Sequence, residues 1–175
     1  MSGNSMFSLI IFFVAFAVIF IISRAAGKGT HYDEMQLKTR GDAYKLGFFT
    51  IVVLVAAAGV CFAVGDTGIS DYISQDMILF TILYAGVIVF SVYSIAQNAF
   101  FSVSDKGNVY ISACIIVIAT NIPALIAEIV NGEFRKNGIL SYNNGGANIL
   151  NLILFIAMLA AIMIKRINDK KEPAE

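Results

Sequence analysis

Long runs of apolar residues alternate along this chain with short polar stretches that hold almost every charge. Five apolar blocks stand out, at residues 6–22, 46–64, 77–101, 109–130 and 147–164. A helix rising about 1.5 Å per residue needs roughly 17–25 apolar residues to cross a hydrocarbon core of about 30 Å. All five blocks reach that length, and Glu128 is the one Asp, Glu, Lys or Arg inside any of them. Soluble helices of this kind would have almost no polar face to offer water. A β-barrel is excluded by the same pattern: its strands are about 9–11 residues long and alternate in polarity, whereas these blocks are apolar on every face. Backbone groups in lipid must bond to one another, so helices are the solution that remains. The pattern predicts an all-α polytopic transmembrane helix bundle of about five spans, forming a single membrane domain over residues 1–175.

Composition agrees with the pattern. Hydrophobic residues make up 58% of the chain and charged residues 14%, against about 45–50% and about 25% in soluble domains. Mean hydropathy is +0.80. Charge then orients the bundle, because Lys and Arg in short loops stay on the cytoplasmic side. The stretch after the first block carries Arg24, Lys28, Lys38, Arg40 and Lys45; the next loop carries Asp66, Asp71 and Asp76 and no base. Lys106 lies in the third loop, Arg135 and Lys136 in the fourth, and Lys165, Arg166, Lys170 and Lys171 at the C-terminal end. With five spans and the first loop inside, ten of the twelve bases are cytoplasmic. The N-terminus is then outside and the C-terminus cytoplasmic. No base precedes the first block, so that block reads as a retained reverse signal-anchor rather than a cleaved signal peptide.

Residues 23–45 form the one sizeable polar region expected on the cytoplasmic side. Thr30 followed by Asp33 suggests a capping box, and Glu34 and Lys38 stand in favourable i, i+4 order. These signals predict a short juxtamembrane helix that ends near Gly41 and leads into the second span. Its bases have the placement to meet anionic headgroups, at on the order of 1 kcal/mol each. Within this region Asp33-Glu34-Met35-Gln36, then Arg40-Gly41-Asp42-Ala43-Tyr44, then Gly47-Phe48-Phe49 resembles a stretch in small multi-pass membrane proteins of Gram-positive bacteria. The resemblance covers about a tenth of the chain. That group has no assigned activity, so the resemblance implies a bacterial cell-membrane setting and transfers no catalytic or binding residue.

Candidate chemistry is sparse. His31, the single histidine, lies in a loop beside Tyr32, without a Cys, Asp or Glu cluster at ligand spacing, and is poor evidence for metal. Cys61 and Cys114 fall near opposite ends of their spans and read as small polarizable core residues. The fourth block is the most informative. Asn121 lies about twelve residues into it, near mid-membrane, and Pro123 removes a backbone donor. Thr120, Asn121 and Pro123 therefore mark either a kink with free polar groups lining a cavity or a packing kink in which Asn121 bonds a neighbouring helix. Glu128 lies near the expected outer end of that span, and an ionisable group in a span is a candidate functional group. Asn148 and Asn151 open the fifth block on one face at a similar depth. Glu128, Asn131, Asn148 and Asn151 make a candidate outer vestibule, or an ordinary interfacial cluster. Tyr84 and Tyr93 of the third block read as interface anchors and packing residues. Gly59 with Ala63, and Ala85 with Gly86, offer small-residue faces for close helix contact. The Asn143-Asn144-Gly145-Gly146 run makes turns and lacks the Gly-Lys-Ser/Thr ending of a phosphate loop.

No catalytic triad, paired carboxylates, metal-ligand spacing or cofactor fingerprint is present, and a formal net charge of zero argues against nucleic acid. The expected partners are the lipid bilayer and either another membrane protein or a second copy in a homo-oligomer. Three readings stay open: a non-enzymatic accessory or regulatory partner of a membrane complex, a small-solute or ion transporter working as an oligomer, and a membrane-embedded enzyme acting on lipid. The orientation is directly testable. Fused at the C-terminus, a fluorescent protein should fold and fluoresce while alkaline phosphatase stays inactive; phosphatase inserted between residues 65 and 76 should be active. The reverse pattern refutes the basic-residue argument.

Overall fold

The computed structural model describes residues 32–64, 68–101 and 108–170. The block at residues 6–22, Thr30 and His31 lie outside the described residues. Four helices are long and apolar enough to cross a membrane: α1 (Glu34–Val64), α2 (Gln75–Ala96), α3 (Asn108–Val130) and α4 (Ala147–Asp169). They run up and down in turn but do not pack in chain order. α1 lies on α2, α2 on α4, and α4 on α3, so α4 is flanked on both sides while α1 and α3 end the row. The α1–α2 turn and the α3–α4 loop share one end of the bundle, called here the loop end. There Ile73 and Leu140 form an isolated parallel bridge, with Leu140 N–H donating to the Tyr72 carbonyl at 2.8 Å and Ser74 N–H to the Leu140 carbonyl at 2.9 Å.

α1 departs from the expectation of a juxtamembrane helix ending at Gly41. It is uninterrupted for 31 residues, about 46 Å at the usual rise. Its N-terminus is capped by Asp33, whose carboxylate accepts the N–H groups of Met35 and Gln36 at 2.5 and 3.1 Å. The Gln36 side chain reaches back to the Asp33 N–H at 3.4 Å. Asp33 and Gln36 thus form a capping box, while the expected pairing of Thr30 with Asp33 falls partly outside the described residues. Gly41 stays helical because a break would expose four N–H and four carbonyl groups, a larger penalty than the roughly 1 kcal/mol that an internal glycine costs.

α2 stops at Ala96, five residues before the apolar block ends. Asn98 adopts φ 56°; its N–H donates to the Ile95 carbonyl at 3.2 Å and that of Ala99 to the Ser94 carbonyl at 2.8 Å. This is a Schellman closure, with asparagine in the left-handed position. α3 ends the same way at Gly132, φ 70°, where Glu133 N–H donates to the Glu128 carbonyl at 2.9 Å. The polar pair Gln97 and Asn98 marks the first stop, that of α2, in the sequence, although Ala99, Phe100 and Phe101 continue the apolar run past the cap.

α1 and α2 meet through small residues, though not those at the outer end of α1. Ala43 and Gly47 are the buried residues of α1. A Cβ on Gly47 would come within 2.9 Å of the Gly86 carbonyl, and one on Gly86 would run into the Ile51 side chain. Tyr44 stacks on Phe90 beside the crossing, ring centroids 4.4 Å apart. Gly59 has nothing within 4 Å of a Cβ position, and both it and Ala63 are exposed. The functional small-xxx-small pair is therefore Ala43/Gly47, where backbone approach is closest. Cys114 is a buried core residue as expected, whereas Cys61 is exposed on α1; both are free.

Gly86→Leu and Gly47→Leu should each lower the unfolding free energy by about 1–3 kcal/mol, the usual cost of overpacking, in a denaturant titration of the purified protein. Gly59→Leu should leave the same titration nearly unchanged.

Candidate functional site

Three helices bring a polar side chain to one level. Tyr84 lies nine residues from the start of α2, Asn121 nine from the end of α3, and Asn151 nine from Tyr142, where the winding that leads into α4 begins. At about 1.5 Å per residue each is some 13 Å in from the loop end. The Tyr84 hydroxyl donates to Asn151 Oδ1 at 2.7 Å. Asn151 Nδ2 donates to Asn121 Oδ1 at 3.3 Å, and Asn121 Nδ2 donates to the Val117 carbonyl of its own helix at 2.8 Å. The result is a ladder from α2 through α4 to α3, each amide acting as both acceptor and donor.

Winding at the head of α4 sets this level. Residues Tyr142–Gly146 form a π-type turn that leads into α4 through a kink at Asn144 (φ −115°, ψ 66°) and Gly145 (φ 90°, ψ −21°), so the Asn-Gly run is drawn into the head of the helix. Gly145 takes φ 90° and is pressed by the Phe134 ring. A Cβ on Gly146 would meet Met77 Sδ and the Ser141 carbonyl, both at 2.5 Å. Tyr142 stacks on Phe80 with centroids 3.9 Å apart, and its N–H donates to Asp76 Oδ2 at 3.0 Å. The Tyr142 hydroxyl adds a polar neighbour to Tyr84.

α3 presents a single inward stripe. Cys114, Asn121 and Glu128 recur every seven residues, with Val117, Ile118 and Leu125 between them, and are buried or half-buried; the other faces are largely exposed. Pro123 is on the exposed side and α3 runs through it as one helix. Thr120 Oγ1 lies 3.0 Å from both the Ile116 and Val117 carbonyls, so Thr120 and Asn121 concentrate side-chain bonds on the turn preceding the proline. Such back-bonding accommodates a proline without a break in the chain of helical residues.

The residues singled out from the sequence thus separate into two places. Asn121 and Asn151 come together with Tyr84. Glu128 lies two turns away on α3, where its Oε2 atom is buried and without a hydrogen-bond partner, beside Gly145 and Phe134. Asn148 is half-buried one turn from Asn151, and Asn131 is exposed. The vestibule grouping of Glu128 with Asn151 is not the one formed, because five extra wound residues carry Asn151 deeper. Tyr84, read as an interface anchor or packing residue, is the first donor of the ladder between helices. Its position near the middle of a 22-residue helix is a usable signal, since a hydroxyl at that depth has no headgroup to reach and needs an internal partner.

At the other end of the bundle Gln36 fastens α1 to the close of α2, with Nε2 2.7 Å from the Asn98 carbonyl. Arg166 Nη2 joins α4 to Asn108 Oδ1 at 2.7 Å. Among the described residues no group of His, Cys, Asp or Glu is arranged to hold a metal ion.

Asn151→Leu should destabilise the bundle more than Tyr84→Phe, because it removes both rungs. A double-mutant cycle on Asn121 and Asn151 should give a coupling of about 0.6 kcal/mol and no more than about 1.7, the range found for hydrogen bonds between membrane helices. Zero coupling would show that the ladder does not bind α3 to α4. Comparison with protein-family models, with curated proteins and with solved structures finds no match to this chain.

Proposed function

We propose that the chain is a multi-pass protein of a bacterial cell membrane, with five spans, its N-terminus outside and its C-terminus cytoplasmic, that acts as a non-enzymatic accessory or regulatory partner of a membrane complex. The observation carrying this reading is the use to which the span polar groups are put. Tyr84, Asn151 and Asn121 bond one another or the backbone, which spends these groups on cementing helices. The row architecture supports the same reading. Among the described residues α1 and α3 each give one seam to a neighbour and leave wide apolar faces, on which Phe48, Phe49, Val53 and Val60 of α1 and Ile116 and Ile126 of α3 are exposed. Those faces suit helices of another membrane protein. The basic residues after the first block and at the C-terminal end support the orientation, and the resemblance of the Asp33–Phe49 stretch supports the bacterial setting.

Transport by an oligomer is a second reading, favoured by one observation: the buried Glu128 oxygen without a donor. An ionisable group so placed is costly unless it serves a purpose.

Gentle-detergent purification of the tagged chain from its native membrane should recover a membrane protein in fixed stoichiometry. Recovery of a homo-oligomer alone refutes the accessory reading and favours transport. In that case Glu128→Gln should abolish solute flux in vesicles while insertion is unchanged.

A further inference from the structure

At the loop end, apart from the polar ladder, a cavity of about 370 Å³ opens between the turn preceding α2 and the α3–α4 loop, lined by Tyr72, Ile73, Phe134, Arg135 and Leu140. That volume is within the roughly 300–1,000 Å³ of small-molecule sites. Its apolar surface comes from both partners of the Ile73–Leu140 bridge, which ties the two loops into one rigid lining. Tyr72 and Phe134 add aromatic surface, and Arg135 is the cation among the lining residues.

Arg135 is held in an unusual way. Its backbone has φ 53°, a left-handed conformation that residues other than glycine, asparagine and aspartate rarely adopt and that concentrates at binding and catalytic sites. The conformation is locked by a reciprocal clasp with Gly138: the Gly138 N–H donates to the Arg135 carbonyl at 2.9 Å, and Arg135 Nη2 donates to the Gly138 carbonyl at 3.2 Å. That contact is with a neutral carbonyl, so it fixes the guanidinium without neutralising it. A guanidinium has five N–H donors in a planar fork that matches a carboxylate or phosphate. A strained cation is thus fastened at the rim of an apolar, aromatic cavity.

We propose that this cavity binds an anionic amphiphile, with a phosphate or carboxylate on the Arg135 guanidinium and an apolar portion against Tyr72, Phe134 and Leu140. A wholly hydrophilic anion would leave the apolar surface unused, and a neutral apolar ligand would leave the guanidinium without its counter-charge. The cavity stands at the level where α2 starts and α3 ends, which is the headgroup level for helices of this length. The ligand is therefore either a phospholipid of the surrounding bilayer or an amphiphilic acid arriving from water.

Native mass spectrometry of the detergent-purified full chain, titrated separately with phosphatidylglycerol, phosphatidylcholine and oleate, tests the site. The wild-type protein should retain phosphatidylglycerol, oleate or both about tenfold more strongly than phosphatidylcholine, a difference of about 1.4 kcal/mol. Retention of phosphatidylglycerol alone identifies the bilayer as the source, and retention of oleate alone a water-borne acid. Arg135→Gly is the informative variant, since glycine accepts the left-handed backbone: its melting temperature should equal or exceed that of wild type while the preference for anions disappears. Tyr72→Glu, at an exposed position, places a carboxylate beside Arg135 and should abolish the preference as well. Equal retention of phosphatidylcholine and the anions by wild type, or an unchanged preference in both variants, overturns the proposal.

Discussion

An amide side chain in the middle of an apolar helix has to find both a donor and an acceptor, and Asn151 finds them on two different helices. Its oxygen takes the Tyr84 hydroxyl of α2 and its nitrogen gives to Asn121 of α3. This explains why α4, last in the chain, stands between α2 and α3 in space. In hydrocarbon there is little hydrophobic drive to pick one helix order over another, since lipid tails are as apolar as leucine. Polar pairing and close approach of small residues then decide which helices are neighbours. The ladder does this for α2, α4 and α3; Gly47 and Gly86 do it for α1 and α2.

The loop end makes the ladder possible. For Asn151 to reach the level of Tyr84 and Asn121, the start of α4 has to be wound back to Tyr142, and the winding depends on two buried glycines. Gly145 takes the left-handed conformation under Phe134, and Gly146 lies against Met77 where no side chain would fit. The π turn is then pinned by Asp76 and Phe80 at the head of α2. The Glu128 carboxylate is enclosed by the same turn, near Gly145 and Phe134. Its buried oxygen is a consequence of how the loop closes over the end of α3.

Strain is concentrated in this region. The loop between α3 and α4 contains Gly132, Arg135, Asn137, Gly138 and Gly145 at positive φ. Three of these are glycines and one is asparagine, residues for which the conformation costs little. Arg135 is the exception, and its reciprocal contact with Gly138 holds it at the mouth of the cavity lined by Tyr72, Phe134 and Leu140. The opposite end of the bundle is organised differently. The Gln36 clasp and the Asn98 cap satisfy backbone ends with ordinary side-chain chemistry, which is why the Asp33–Gln36 stretch is polar and α1 extends past its apolar segment.

Much of this architecture was legible in the amino-acid order. Four of the five apolar blocks correspond to helices long enough to span a membrane, because a run of such length has no other way to satisfy its backbone in lipid; the block at residues 6–22 is outside the described residues. Asn121 was recognisable as a group needing a partner for the same reason, whereas Asn151 read as part of an outer cluster with Glu128. Hydropathy could not show where helices stop when the flanking residues are equally apolar: the Asn98 cap cuts α2 short of Phe101, and the π turn lengthens α4 toward Tyr142. Errors of five residues at such ends move a side chain more than one helical turn, enough to pair Asn151 with the wrong depth. What the sequence by itself determined is where four long apolar helices lie among the described residues, though not where each one ends, since an apolar run follows from local composition and the length of a bilayer. The tertiary structure alone decided the helix order, the choice of Ala43/Gly47 over Gly59/Ala63, and the meeting of Tyr84 with Asn151, because each depends on the rotation and depth of a helix against its neighbour, quantities that an apolar run leaves free.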